Sequence, residues 1–203
     1  MKHMLTFGAL LLAPFFVLAS GDDAPSRYTI DAKTSTITWE GTNVTRAHNG
    51  DIAINNGMIT VDNGMISAAT VVIDMTTINT LDLEGGSKAT LDRHLSSDDF
   101  FGVEQFPTAQ FELLQLNPLR GGENGANFSA TGKVTIKGRT DEVSFPVTVD
   151  MTDGGAKISG EMVLDRSKFD VRFRSKSFFD AKELGDKLIY NDFTVGFKLV
   201  AGK

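Results

Sequence analysis

Two short polar groups in this sequence combine a histidine with charged neighbours. Arg46 and His48 form the first group, and Asp92, Arg93 and His94 form the second. An imidazole beside a carboxylate can transfer a proton near neutral pH, and it can equally hold the polar end of a small molecule by a hydrogen bond. These residues are therefore the first candidates for chemistry or for head-group recognition.

Nucleophilic catalysis would need more than these groups. The sequence has no G-x-S-x-G elbow and no comparable nucleophile signature. It has no cysteine, and outside the amino-terminal leader its histidines, His48 and His94, lack the H-x-H or H-x-x-x-H spacing of a zinc site. We therefore expect no catalytic residue, no metal site and no cofactor. The alternative hypothesis is a hydrolase-like enzyme that uses Asp92, Arg93 and His94.

A third polar feature is a run of alternating cations. Arg172, Arg174 and Lys176 alternate with less polar residues, which on a strand would place the three cations on one face. Such a face could receive a pyrophosphate or the anionic head groups of a membrane. The alternative is an exposed ladder of cations paired with neighbouring acidic residues.

The elements that must position these residues show a period of two along most of the chain. This alternation predicts about nine or ten strands, each with one apolar face. The apolar positions are Ile37 and Trp39; Ile52 and Ile54; Ala109, Phe111 and Leu113; Val134 and Ile136; Val143, Phe145, Val147 and Val149; Ile158, Met162 and Leu164; and Phe193, Val195, Phe197 and Leu199.

Short connections between these segments predict antiparallel pairing. The sequences NNG at residues 55–57, DNG at residues 62–64 and DGG at residues 153–155 are typical of tight hairpins. Residues 88–99 and 178–188 depart from the period of two and predict short helices or long loops. Many strands without a long helix favour a sandwich or a barrel, and an eight-stranded barrel can be filled by side chains or hold one small ligand.

Composition and charge narrow the class of protein. With 41% hydrophobic and 23% charged residues, the chain of 203 residues is expected to fold as a globular protein. Its formal net charge is −6, and it has no long basic tract, so nucleic acid is not an expected partner.

The first residues predict an export signal. Lys2 precedes an apolar run that ends at the small residues Ala19, Ser20 and Gly21, and this run is too short for a transmembrane helix. We expect a signal peptide over residues 1–20 with cleavage between residues 19 and 21, a linker over residues 21–27, and one domain over residues 28–203. Gly21 stands where a lipoprotein signal has its lipid-accepting cysteine, so no lipid anchor is expected.

Several motifs, in order, resemble the YceI-like, lipocalin-like family. They are LDRHL at residues 91–95, DFF at 99–101, FP at 106–107, GKVTIKGRTDEVSF at 132–145 and LDRSKF at 164–169. The likeness extends over residues 28–200. The segment after Phe169 departs from the family pattern and is similar to variants with a structured loop before the last strand.

The resemblance implies an all-β fold, an antiparallel, eight-stranded, extended lipocalin-like barrel with one or two short helices. It also implies a long apolar cavity that takes a polyisoprenoid chain, in members commonly exported to the bacterial periplasm. We therefore expect a non-catalytic protein that carries or sequesters an isoprenoid-type lipid, a polyprenyl or quinone molecule. A ligand-free, stress-linked interaction module with a filled barrel is the remaining alternative.

The ligand-binding residues expected from this hypothesis are mostly inward aromatic side chains, because apolar area is what an isoprenoid tail offers. Transient contact with a membrane surface and a monomeric or homodimeric state are also expected. The candidate ligand-binding residues are Trp39, His48, Asp92, Arg93, His94, Phe100, Phe101, Phe111, Phe145, Phe173 and Phe197, with Arg172, Arg174 and Lys176 as candidates for an anion or head group.

Overall fold

The computed structural model describes residues 24–203, and the predicted signal peptide lies outside the described residues. Strands dominate, and the helices are short. The strands are β1 (Ser26–Ile30), β2 (Thr36–Asn43), β3 (Ala47–Asp62), β4 (Met65–Thr80), β5 (Thr108–Pro118), β6 (Phe128–Ile136), β7 (Arg139–Thr152), β8 (Gly155–Asp165) and β9 (Ile189–Gly202). The helices are α1 (Gly85–Ser96) and α2 (Ala181–Leu184), with 3₁₀ turns at Glu123–Gly125, Arg166–Phe169 and Gly185–Lys187.

The nine strands close into an eight-stranded barrel because β1 and β2 act as one interrupted strand. Both pair with β3 on one side and with β9 on the other, β1 near the β3–β4 turn and β2 near the opposite end of the barrel. Every pairing is antiparallel, and the β3–β4 ladder closes the ring. The prediction of an antiparallel eight-stranded barrel with short helices is confirmed, and among the described strands closure leaves no open sheet edge.

The hairpin signals in the sequence have different outcomes. Asn63 and Gly64 take positive φ angles of 50° and 77° in the β3–β4 turn, as the DNG sequence predicts. The β7–β8 turn lies at residues 153–154, also as predicted. The NNG prediction is wrong, since residues 55–57 continue β3 through a register shift, and Gly57 allows close approach to Ile30.

The apolar faces of the strands point into the barrel and form two packed clusters. We call the end with the β3–β4 turn the lower end and the end with α1 the upper end. Tyr28, Ile59 and Val147 belong to the cluster at the lower end. Leu95 of α1 and Phe169 of the Arg166–Phe169 turn belong to the cluster at the upper end.

Helix α1 is attached to the upper end of β4 by polar contacts. The Asp92 carboxylate accepts hydrogen bonds from the Thr80 backbone amide at 2.9 Å and from Lys88 Nζ at 2.6 Å. Lys88 also donates to the Asn79 side chain. These bonds, together with buried Leu95, hold α1 across the upper end of the barrel. Among residues 24–203, neither helix has the length and apolar character needed to cross a membrane.

Candidate functional site

The barrel encloses an elongated apolar cavity of about 230 Å³, and all nine strands contribute to its lining. Along β4 the lining extends from Ile66 near the lower end to Ile78 near the upper end. That stretch rises about 40 Å along the strand and, at the tilt usual in barrels, about 30 Å along the barrel axis. The interior is therefore a narrow, elongated space.

Six of the seven predicted aromatic residues line this cavity: Trp39, Phe100, Phe101, Phe111, Phe145 and Phe197. Three of them form a chain of edge-to-face contacts across the barrel. The ring centroids of Phe111 and Phe145 are 5.7 Å apart, and those of Phe145 and Phe197 are 5.9 Å apart. Such contacts fix the orientation of large apolar side chains.

Inward-facing glycines on neighbouring strands make room for these rings along the wall. A Cβ atom on Gly132 would lie 2.4 Å from the Phe111 ring, and one on Gly160 would lie 2.9 Å from the Phe197 ring. Trp39 uses the space above Gly50 in the same way, at 2.5 Å. Each ring thus occupies a position that a neighbouring side chain would otherwise fill.

We assign the mouth of the cavity to the upper end, where the pairing of β2 with β9 is irregular. The register between them shifts between Gly41 and Asn43. Gly41 and Thr42 of β2 line the cavity there, together with exposed Tyr190 and Asp192 of β9. These residues form the rim of a cavity whose exposed inner surface is almost entirely apolar and whose deeper wall is formed by Ile, Val, Leu and Phe side chains.

Arg166, which the sequence analysis did not single out, lines the same end of the cavity. Only 4% of it is exposed, and its guanidinium donates hydrogen bonds to the backbone carbonyls of Val171, Ile189 and Tyr190 at 2.9 to 3.0 Å. Burial lowers the pKa of Arg166 to about 10, which leaves it cationic at neutral pH. The LDRSKF motif contains this residue, but nothing in its spacing showed that the side chain turns inward.

Phe173 and His94 pack together beside the cavity and are not part of its lining. The His94 ring makes edge-to-face contacts with Phe173, at 4.4 Å between centroids, and with Phe100, at 4.9 Å. Burial lowers the pKa of His94, and the charge of Arg174 acts in the same direction while Asp99 opposes it. The imidazole therefore serves as an aromatic packing group at the upper end.

The other polar candidates lie on the outside of the barrel. His48 Nδ1 is 2.8 Å from the Asp82 carboxylate, which also accepts a hydrogen bond from the Asn49 amide. Asp92 is engaged with Thr80 and Lys88, as described above, and Arg93 is exposed. Within residues 24–203, no three His, Asp or Glu side chains converge as metal ligands. Of the two polar groups of the sequence, His48 and Asp92 thus hold surface elements in place, and the lining of the cavity includes no residue of either group.

The prediction of a cationic strand face at Arg172, Arg174 and Lys176 is wrong. Residues 170–180 form a succession of turns, in which Asp170 and Arg174 have positive φ angles of 60° and 51°. Arg172 Nε donates to the Asp170 carboxylate at 2.7 Å. All three cations are exposed near the mouth, on a loop and not on a strand.

His94 gives a testable pH dependence. Because its pKa is lowered in the fold, the unfolded chain takes up the proton first as pH falls below the ordinary value of 6.5. The protein should lose stability as pH falls through that ordinary value, and His94→Phe should lose less stability while keeping the ring contacts. Chemical unfolding at several pH values measures this difference. His94→Gln is the control: it should show the same reduced pH dependence but should be less stable than His94→Phe at every pH, because it loses the ring contacts. Equal losses of stability in His94→Phe and the parent protein would contradict the assignment.

Comparison with known proteins places this geometry in a family. The model of the YceI-like domain matches residues 28–201. A UPF0312 protein from Staphylococcus aureus (strain bovine RF122 / ET3-1) is 30% identical over 112 residues, which cover 52% of this chain and 57% of that protein. The matched region thus spans little more than half the length of this relative.

Two solved structures share the fold. BcnA from Burkholderia cenocepacia superposes with a TM-score of 0.65 and 21% identity, covering 84% of this chain and 98% of that one. A polyisoprenoid binding domain from Saccharophagus degradans, implicated in plant cell wall breakdown, superposes with a TM-score of 0.58 and 12% identity, covering 86% and 97%. From the family match over residues 28–201, the chain belongs to the YceI-like family.

Proposed function

We propose that this protein binds an isoprenoid-type lipid, a polyprenyl or quinone molecule, in the barrel cavity and carries or sequesters it without chemical turnover. The observation that carries the proposal is the apolar cavity that extends along the barrel, from Ile66 to the mouth at Tyr190. The resemblance in fold to a domain described as polyisoprenoid-binding supports the same class of ligand.

The energetics of the cavity suit a long apolar chain. Each square ångström of apolar surface removed from water contributes roughly 25 cal/mol, before the cost of immobilising the ligand is subtracted. The deeper wall, formed by residues such as Ile59, Val147 and Leu199, offers contact along a chain without demanding hydrogen bonds from it. A saturated or isoprenoid tail meets this wall at no polar desolvation cost.

The upper end suits a polar head group. Among the described residues that line the cavity, Arg166 is the one cation, and its three backbone hydrogen bonds use three of the five guanidinium N–H groups. The guanidinium can donate a further hydrogen bond to an acceptor such as a quinone carbonyl or a prenyl oxygen. We propose that the head lies at Arg166 and the rim, with the tail directed toward the lower end.

The enzyme and filled-barrel alternatives fit these contacts less well. An enzyme acting through Asp92, Arg93 and His94 would need them at the cavity, whereas Asp92 holds α1 and His94 packs against Phe173. A ligand-free module would fill its interior, whereas the rings of Phe111 and Phe197 lie over glycines along the wall. Burial of a ligand without chemistry is therefore the function that we propose.

We also propose export to the periplasm through the signal over residues 1–20, which lies outside the described residues. The proposal is based on the charged start, the apolar run and the small residues that follow it. Amino-terminal sequencing of protein recovered from a periplasmic extract should then begin between Ser20 and Asp22. Recovery of the chain in the cytoplasm with Met1 retained would contradict it.

Cavity occupancy can be tested with two neighbouring alanines of β4. Ala69 lines the cavity, and Ala68 beside it is exposed on the outer face. Ala69→Phe should fill the lumen and remove most of the copurified lipid, because the added ring takes the volume that a tail would use. Native mass spectrometry after gentle purification measures the lipid-bound fraction, which should appear as an added mass of several hundred daltons, on the order of a single lipid.

Ala68→Phe is the matched control, since it adds the same group to the same strand on the opposite face. It should retain the bound fraction of the parent protein. Thermal unfolding of both variants establishes that they fold. A parent protein that is repeatedly free of lipid, or an Ala69→Phe variant that retains as much lipid as Ala68→Phe, would contradict the carrier proposal.

A further inference from the structure

Exposed aromatic side chains lie on the rim of the cavity and on the segment that is hydrogen-bonded to β9 next to it. Phe178 is 39% exposed, Phe179 is 50% exposed and Tyr190, on the rim itself, is 44% exposed. Val44 is close by, since its backbone amide donates to the Leu188 carbonyl. Large apolar side chains grouped on a surface mark a site of interaction, whereas single ones are common and need no explanation.

A buried polar network holds these side chains in place. Fully buried Ser175 forms a hydrogen bond of 2.7 Å with Asn191 of β9, and the Asn191 amide donates to Ser177 Oγ at 2.7 Å. The backbone amides of Phe178 and Phe179 both donate to the Ser175 carbonyl at 3.0 Å. The two phenylalanines are thereby attached to the strand that forms the rim of the mouth.

The same segment is locally basic in an acidic protein. Residues 172–179 contain Arg172, Arg174 and Lys176 and no acidic residue, while the whole chain has a formal net charge of −6. The Arg172 guanidinium lies 5.1 Å from the centre of the Phe178 ring, so cation and aromatic share one surface. Asp170 pairs with Arg172, and Asp180 and Asp192 flank the segment, which limits the local excess of positive charge.

We propose that residues 172–179, together with Tyr190, form a docking surface for an anionic lipid bilayer. Phenylalanine and tyrosine side chains partition into the head-group region, and exposed cations are attracted to anionic lipids. The surface is continuous with the mouth of the apolar cavity, which places the mouth against the source of a membrane lipid. In that respect the inference rests on the proposed function and names its partner.

Sedimentation with vesicles tests the surface without reference to the ligand. The whole chain, after removal of the signal peptide, is mixed with phosphatidylcholine vesicles that contain or lack phosphatidylglycerol. The parent protein should bind the anionic vesicles more strongly, and high salt should weaken this binding because it screens exposed charges. The double substitution Phe178→Ser with Phe179→Ser should weaken binding by about tenfold or more.

Two further variants make the test specific. Arg172→Gln with Lys176→Gln removes two cations while leaving both phenylalanines in place, and it also removes the contacts of Arg172 with Asp170 and Phe178. It should remove most of the preference for anionic vesicles, by about tenfold at low salt. Met65→Ser with Met151→Ser is the matched control, because these methionines are 61% and 40% exposed at the lower end, away from the mouth. That control should bind as the parent does. If thermal unfolding shows that the phenylalanine variant does not fold, the charge variant still tests the docking surface.

Three results would overturn the docking surface: no binding of the parent protein to phosphatidylglycerol vesicles at low salt, equal binding to both vesicle types, or equal weakening by the methionine control. The proposed function fails by a different readout, which is native mass spectrometry of the protein as purified. If the parent protein carries lipid as purified but does not bind vesicles, the docking surface alone is overturned. Vesicle binding by a protein that never carries lipid would overturn the carrier proposal alone.

Discussion

The contact between aromatic rings and inward-facing glycines on adjacent strands is the constraint on which the rest of this structure depends. An eight-stranded barrel has an interior only just wide enough for its own side chains. Here Trp39, Phe111 and Phe197 are accommodated over Gly50, Gly132 and Gly160, where a side chain would otherwise stand. Large apolar groups are thus arranged along the wall, and the barrel encloses space instead of filling it.

The two ends of the cavity differ in chemical character. Helix α1 and the segment that begins at the Arg166–Phe169 turn cover much of the upper end, while the pairing of β2 with β9 is irregular beside Gly41. A buried cation, Arg166, and the exposed rim residues Tyr190 and Asp192 are found there, whereas the lower end is closed by packed aliphatic side chains. An amphiphile has one favourable orientation in such a cavity, because its polar end is costly to bury anywhere else.

Local periodicity in the sequence predicted the strands, the two segments that depart from them and most of the lining, because a period of two fixes which side chains face inward. The choice of a barrel over a sandwich came from the resemblance to the YceI-like family. Six of the seven predicted aromatic residues do line the cavity. The predictions that proved wrong concern positions whose conformation depends on residues distant in the sequence. The NNG sequence continues β3 because the neighbouring ladders extend past it, and the run from Arg172 to Lys176 turns because Ser175 is bound to Asn191. The inward direction of Arg166 depends on carbonyls contributed by β9, which no local pattern reveals.

The central claim is that the barrel interior is an open apolar space that holds the tail of a lipid. A crystal structure of the protein, purified without delipidation, tests it most directly. We expect continuous elongated electron density alongside the contacting rings of Phe111, Phe145 and Phe197, with its polar end beside Arg166. An interior filled by the protein's own side chains, with no elongated density beside these rings, would contradict the account.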